Sequence, residues 1–244
     1  MTQYPSMQQS ASKAEVVNAF MRGVYGWMSA GLALTAVLAY LTISMPVMQQ
    51  LVFATDPASG MIVGVSNLVW LFFIAEIGIV FYLSARISSM NPSTATTLFM
   101  VYSGLNGLTL APLLYSYTAE SVASTFIITA GMFGTMSIYG MVTKKDLTGW
   151  GSLLTMGLFG IIIAMVVNMF MQSSAMSFAI SIIGVIIFLG LTAYDTQKLK
   201  TMGEMVPEGD TAAIRRGTIM DALTLYLDFI NLFIMLLRLM GSRD

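Results

Sequence analysis

Along this chain, long apolar runs alternate with short polar breaks seven times after a polar beginning. The runs are Gly23–Ser44, Met61–Ala85, Thr94–Tyr117, Ser121–Val142, Trp150–Met171, Ser177–Thr196 and Gly217–Met240. Each is near the roughly 20 residues a helix needs to cross a bilayer. Most connectors are short, with Pro46, Pro57 and Asn91-Pro92 as breakers, so successive helices are expected to run antiparallel. Residues 1–21 are polar and rich in Ser and Gln, which predicts a flexible cytosolic tail ending in a helix-like stretch from Lys13 to Arg22. They lack the small-residue cleavage site that follows the apolar core of a removable signal peptide. The expected architecture is an all-α polytopic membrane protein, with residues 22–244 forming a single seven-helix membrane domain.

The last run differs from the others. Asp221 to Arg238 is apolar enough to enter a bilayer yet carries Asp228 near its middle. At about 100° per residue, Asp221, Thr224, Asp228 and Asn231 fall within roughly an 80° arc, with Leu, Ile, Phe and Met opposite. A lone carboxylate in hydrocarbon is costly, so this stripe must face protein or water. The last helix is therefore expected to be central, with the other six around it.

Composition agrees with a membrane protein: 57% hydrophobic and 9% charged residues, with a mean hydropathy of +0.80, against about a quarter charged in soluble domains. The net charge of −1 and the lack of a long basic patch give no footing for nucleic acid. There is no Cys, which excludes disulfides, thiolate metal sites and Cys nucleophiles, and no His, which removes histidine catalysis and the usual neutral-pH switch. Any pH sensing near neutrality falls to carboxylates. The 22 Met read as core filler, since soft metal ligation lacks its Cys and His partners. Gly104 and Gly107, Ala130 and Gly134, and Gly157 and Gly160 read as close helix packing.

Cationic residues sort by side. Lys13, Arg22, Arg86, Lys144, Lys145, Lys198, Lys200, Arg215 and Arg216 fall in one set of loops, and the alternate loops around Asp56, Glu120 and Ser173 have no Lys or Arg. The positive-inside rule then places the N-terminus in the cytosol. Seven full spans put the C-terminus outside, with Arg238 and Arg243 against the rule.

Four ionisable groups lie at membrane depth or its edge. Glu76 is ten residues before Arg86 and so about 15 Å deeper along a helix. Asp195 ends the sixth run just ahead of Lys198, and Asp228 is about 10 Å further along its helix than Asp221. Arg86, Asp195 and Asp228 share a layer if their helices are adjacent. The plainer assignments are a snorkelling interface charge for Arg86, a helix end for Asp195 and a satisfied packing partner for Asp228. The functional alternative is that two close carboxylates cannot both ionise cheaply and so titrate as a unit. An arginine paired with one of them would lock the helices until protonation released it.

Thr192-Ala193-Tyr194-Asp195-Thr196-Gln197-Lys198, followed by the stretch from Ala222 to Phe233, resembles the signature of the Bax inhibitor-1 (transmembrane BAX inhibitor motif) family. Ser103 to Pro112 and Lys144-Lys145-Asp146-Leu147 are similar as well, so the likeness spans nearly the whole chain. The short N-terminal tail and the absence of Cys look more like bacterial members. The resemblance implies six helices around the last and a pH-sensitive calcium leak controlled by a di-aspartyl pair, here Asp195 and Asp228. It also implies an arginine lock, for which Arg86 is the nearest candidate, and a helix-two acid, matched by Glu76. The connector Thr201–Gly217, with Glu204, Glu208 and Asp210, departs from shorter members.

Calcium is a hard cation that takes carboxylate and carbonyl oxygens, and weak sites let it pass. Asp195 and Asp228 would bind it weakly, with Glu76, Asp221 and Asn231 along the ion pathway, and no tightly bound cofactor is expected. The expected setting is a monomer in a bacterial inner membrane, its partners the lipid bilayer, calcium and protons. Three other functions fit parts of the pattern. A non-transporting regulator that binds membrane proteases or other membrane proteins would leave the same apolar surface. A proton-coupled transporter would show solute-dependent proton flux. An intramembrane aspartyl protease would use Asp195 and Asp228 as acid and base, but the Gly-x-Gly-Asp context and a Pro-Ala-Leu motif are missing. The expectation is a non-enzymatic cation leak.

Overall fold

The computed structural model describes residues 4–56, 58, 59, 61–205 and 211–242. Its elements, in order, are α1 (Tyr4–Ser44), α2 (Pro46–Val52), β1 (Phe53–Thr55), β2 (Ile62–Val65), α3 (Asn67–Arg86), a 3-10 turn (Ile87–Ser89), α4 (Pro92–Tyr115), α5 (Ala119–Val142), α6 (Thr148–Met171), α7 (Ser174–Met205) and α8 (Thr211–Met240). Seven of these helices are long and apolar enough to cross a membrane, so the fold is an all-α polytopic membrane fold.

Local chemistry sets the helix ends. Pro46 opens α2, and Pro92 opens α4 behind Asn91, whose Oδ1 accepts from the Ser93 amide at 2.9 Å. A missing N–H costs nothing in a first turn, and a short polar side chain satisfies one of the orphan donors there. Ser66 caps α3 in the same way, accepting from Leu68 N at 3.3 Å. At the far end of α6, Gln172 adopts a left-handed conformation (φ 50°), and its N–H closes on Asn168 O at 2.8 Å.

The boundaries depart from expectation at three places. The second span starts at Asn67 rather than Met61, because Ile62–Val65 pairs antiparallel with Phe53–Thr55 as a hairpin, Phe53 facing Val65. Ile62, Val63 and Val65 are β-branched, and a short apolar run of that kind cannot be told from a helix start by periodicity alone. Asp56 organises the hairpin turn by accepting from Ser59 Oγ at 2.7 Å and Ala58 N at 3.2 Å, and those bonds hold its carboxyl below the usual range. At the N-terminus the expected flexible tail is helical from Tyr4, in keeping with its Ala, Met, Gln and Lys content. The sixth span runs past Thr196 to Met205, and the seventh begins at Thr211 rather than Gly217. Charged residues such as Lys198 and Lys200 are good helix formers, so the helix continues where the apolar pattern stops. Pro57, Glu208, Asp210, Arg243 and the side chain of Lys13 lie outside the described residues.

The chain forms two compact units: Met1–Gly23, Ala119–Glu208 and Thr224–Ser242 in one, and Val24–Thr118, Gly209–Leu223 and the last two residues in the other. In the first unit α7 packs against both α5 and α6. Small residues allow this: a Cβ on Gly157 would fall 2.7 Å from Ile187 Cδ1, and one on Gly140 would fall on the Ala193 carbonyl oxygen. Gly184 admits Met235 of α8, and Phe126 and Phe133 of α5 meet the Phe229 ring at centroid distances of 5.3 and 5.4 Å. In the second unit α3 packs against α4, and α4 approaches α1, where Thr35 Oγ1 donates to Ser103 O at 2.8 Å. Phe53 of the hairpin lies 5.1 Å from the Tyr115 ring.

Burial separates the helices by role. The apolar window of α8 is 61% buried, against 6–44% for the other six spans. Leu225, Tyr226, Leu232 and Leu237 have no exposed surface, so apolar and polar faces alike are enclosed. This agrees with an interior place for the last helix. α6, only 6% buried, presents Phe159, Ile163 and Phe170 outward, as a lipid-facing helix does.

Of the paired small residues, Gly104, Gly107 and Gly157 sit in close contacts, whereas Gly134 and Gly160 face open space. A Cβ on Gly107 would lie 2.6 Å from Thr35 O and 3.0 Å from Leu38 Cβ. Gly107→Ala is expected to destabilise the protein by about 1–3 kcal/mol through overpacking. Gly134→Ala is expected to leave stability unchanged or slightly raised. Thermal unfolding of the two variants in one detergent checks both.

Candidate functional site

Asp195 of α7 and Asp228 of α8 belong to the same unit, and their carboxyl groups lie close enough to interact with each other. Both are buried, 9% and 5% exposed. The neighbours explain the approach. Thr192, Ala193 and Thr196 around Asp195 are small and fully or almost fully buried, and Gly140 lets the α5 backbone touch α7 at Ala193. Thr192 turns its hydroxyl onto Phe188 O at 2.7 Å, so it makes no competing demand on the carboxyl. An ionised carboxylate only accepts hydrogen bonds, so a carboxyl–carboxyl bond requires a proton on one partner. Two carboxyl groups held this close are coupled, so that the charge on one changes what the other costs.

Two buried side-chain atoms have no hydrogen-bond partner among the described residues: Asp228 Oδ2 and Ser137 Oγ of α5. Both belong to the unit that holds the aspartate pair. Lys198, one turn beyond Asp195, interacts with it electrostatically. The pair is thus tied to α7 and α8 and open to one more polar contact.

Glu76 is placed differently, in the other unit. It is 4% exposed on α3 and accepts from Thr109 Oγ1 at 2.7 Å and Asn106 Nδ2 at 3.2 Å, both on α4. Tyr102, one turn before Asn106, interacts electrostatically with it. Asn106 O, 3.2 Å from Thr109 Oγ1, is the alternative and longer acceptor for that hydroxyl's single proton. Asp221 is 9% exposed in that same unit, whereas Asn231 is half-buried and donates to its own helix at Leu227 O, 2.8 Å away. Arg86 is exposed at the end of α3 and makes no salt bridge among the described residues.

No group of three or more acidic side chains is gathered for a metal among the described residues. The aspartate pair offers at most four carboxylate oxygens, fewer than the six to eight ligands calcium takes, so the donors present suit transient contact rather than storage. Sequence reasoning identified both aspartates and Glu76 but not Asn106, Thr109 or Ser137. Asn106 and Thr109 are polar residues three apart within a span, one helix face, and that spacing was the available signal. Ser137 gave none.

A protein-family model described as "Inhibitor of apoptosis-promoting Bax1" matches residues 17–244. The chain is 46% identical to the inner membrane protein YbhL of Escherichia coli K12 over 245 residues, covering 100% of both chains. It is 42% identical to an uncharacterized protein of Borreliella burgdorferi over 237 residues, 97% of each chain. It is 43% identical to the uncharacterized protein RP147 of Rickettsia prowazekii, over 94% of this chain and 92% of that one.

Thr109→Val removes the shorter of the two donors to buried Glu76 and is expected to cost about 1–3 kcal/mol. Ser137→Ala removes a hydroxyl that has no partner and is expected to cost nothing measurable. Thermal unfolding of the two variants checks the contrast.

Proposed function

Because the chain belongs to the Bax inhibitor-1 family of membrane proteins, we propose that it is a pH-sensitive cation leak, passing calcium, with the Asp195–Asp228 pair as its gate. The observation that supports this is the close, buried approach of two carboxyl groups carried by α7 and α8. With one shared proton the contact is attractive. Adding or removing a proton replaces that bond with a different interaction, two neutral acids or two like charges, and the packing of α7 on α8 must answer to it. Such a contact is bistable, which is what a switch between two helix packings requires.

Calcium is favoured as cargo by the donor chemistry. Asp228 Oδ2 is unpartnered and the available oxygens are hard ligands, yet too few to hold the ion tightly. Glu76, with its neutral donors Asn106 and Thr109, and Asp221 and Asn231 are the further polar side chains assigned to the ion pathway. The membrane is a bacterial inner membrane, the place named for the Escherichia coli relative. The N-terminus lies in the cytosol by the distribution of Lys and Arg.

The test is the full chain reconstituted in liposomes loaded with a calcium-sensitive dye. The expected result is a calcium leak that changes several-fold between about pH 6 and pH 8, as a jointly owned proton titrates. Asp195→Asn and Asp228→Asn together are expected to abolish that pH dependence, because neither amide carries a titrating proton. A leak equal to that of empty liposomes, or a pH profile the double variant preserves, overturns the assignment.

A further inference from the structure

The unit built from α5, α6 and α7 contains a second feature with unused chemistry. A cavity of about 590 Å³ opens between the α5–α6 connection and the end of α7, within the roughly 300–1,000 Å³ of small-molecule sites. Lys144 and Lys145 reach it from the connection, and Lys198 and Lys200 from α7, beside Tyr194 and Gln197. Asp146 and Glu204 also line it, so four ammonium groups face two carboxylates. None of the four lysines is in a salt bridge among the described residues. Asp146 is already engaged, accepting from Thr148 N at 2.9 Å, and hydrogen bonding by Thr148 holds its carboxyl below the usual range.

The walls are held in place. Gln197 bridges the cavity to the connection: its Oε1 accepts from Leu147 N at 2.8 Å, and its Nε2 donates to Lys145 O at 2.8 Å. Lys200 is half-buried and donates to Met141 O at 2.9 Å, which aims its ammonium at the end of α5 and leaves two donors free. A loop of the positive side of a membrane protein needs lysines, but it does not need two elements to bring four of them to one pinned cavity. Like charges gathered in a concave, partly desolvated space repel unless an anion joins them.

We propose that this cavity is a binding site for a phosphate group, presented either by an anionic phospholipid head at the cytosolic face or by a soluble phosphate compound. Lysine ammoniums recognise phosphate as point charges, and the Tyr194 hydroxyl supplies a further donor. The site adjoins Asp195 through Lys198, which also interacts electrostatically with that carboxyl, but the proposal does not depend on the gate.

The test uses the full chain purified in detergent. One arm titrates dioleoylphosphatidylglycerol against dioleoylphosphatidylcholine in mixed micelles, and the other titrates sodium phosphate against sodium chloride at equal ionic strength. The thermal unfolding midpoint is followed in both. The Lys144→Gln/Lys198→Gln variant changes two exposed side chains and is compared with Arg22→Gln/Arg215→Gln, which removes two exposed charges outside the cavity. A saturable rise in midpoint is expected, with apparent affinity weakened roughly tenfold or more in the lysine variant and unchanged in the arginine one. Lys144→Arg/Lys198→Arg is expected to retain binding. A response to phosphatidylglycerol alone assigns the site to lipid, and an equal response to inorganic phosphate assigns it to a soluble compound. No saturable response to either probe, or equal weakening in the lysine and arginine variants, overturns the proposal.

Discussion

The close approach of two acids, Asp195 and Asp228, out of reach of bulk water is the constraint on which the unit that holds them turns. Two carboxyl groups can share a hydrogen bond only while a proton lies between them. Burying either group alone would be costly, and burying both as charges would be worse. The surrounding helices are shaped to make the contact affordable: small side chains flank Asp195, Gly140 lets α5 close on α7, and the apolar window of α8 is 61% buried.

Glu76, a buried acid of the second unit, is handled by different means. Glu76 is met by a hydroxyl and an amide from one face of α4, neutral donors that satisfy a carboxylate without a counter-charge. Each compact unit therefore carries its own membrane-depth acid, one balanced by neutral donors and one by a second acid.

Much of this was legible in the residues. Apolar run lengths identify seven spans, and an acid inside a strongly apolar run must be enclosed, which is why Asp228 and Asp195 stand out before any coordinates. Helix caps at Asn91-Pro92 and Pro46 are local chemistry and read directly. What depends on three-dimensional approach does not. Ile62–Val65 becomes a strand because Phe53–Thr55 lies beside it, and no property of the run alone says so. Asn106 and Thr109 matter because α3 brings Glu76 to them, and Ser137 because it is left buried without a partner. Arg86 ends α3 with its side chain exposed and without a salt bridge among the described residues, and spacing along one helix says nothing about which neighbour a side chain faces. The lysines were legible as a sign of orientation, but their gathering in one cavity follows from the Gln197 bridge between two elements.

The jointly owned proton is most directly tested by infrared difference spectroscopy of the full chain near neutral pH, following the carbonyl stretch of protonated carboxyl groups. Because the proton belongs to both residues, the band is expected to shift or vanish in Asp195→Asn and in Asp228→Asn alike. A band that responds to only one of these substitutions, or to neither, would contradict the shared proton and the gate built on it.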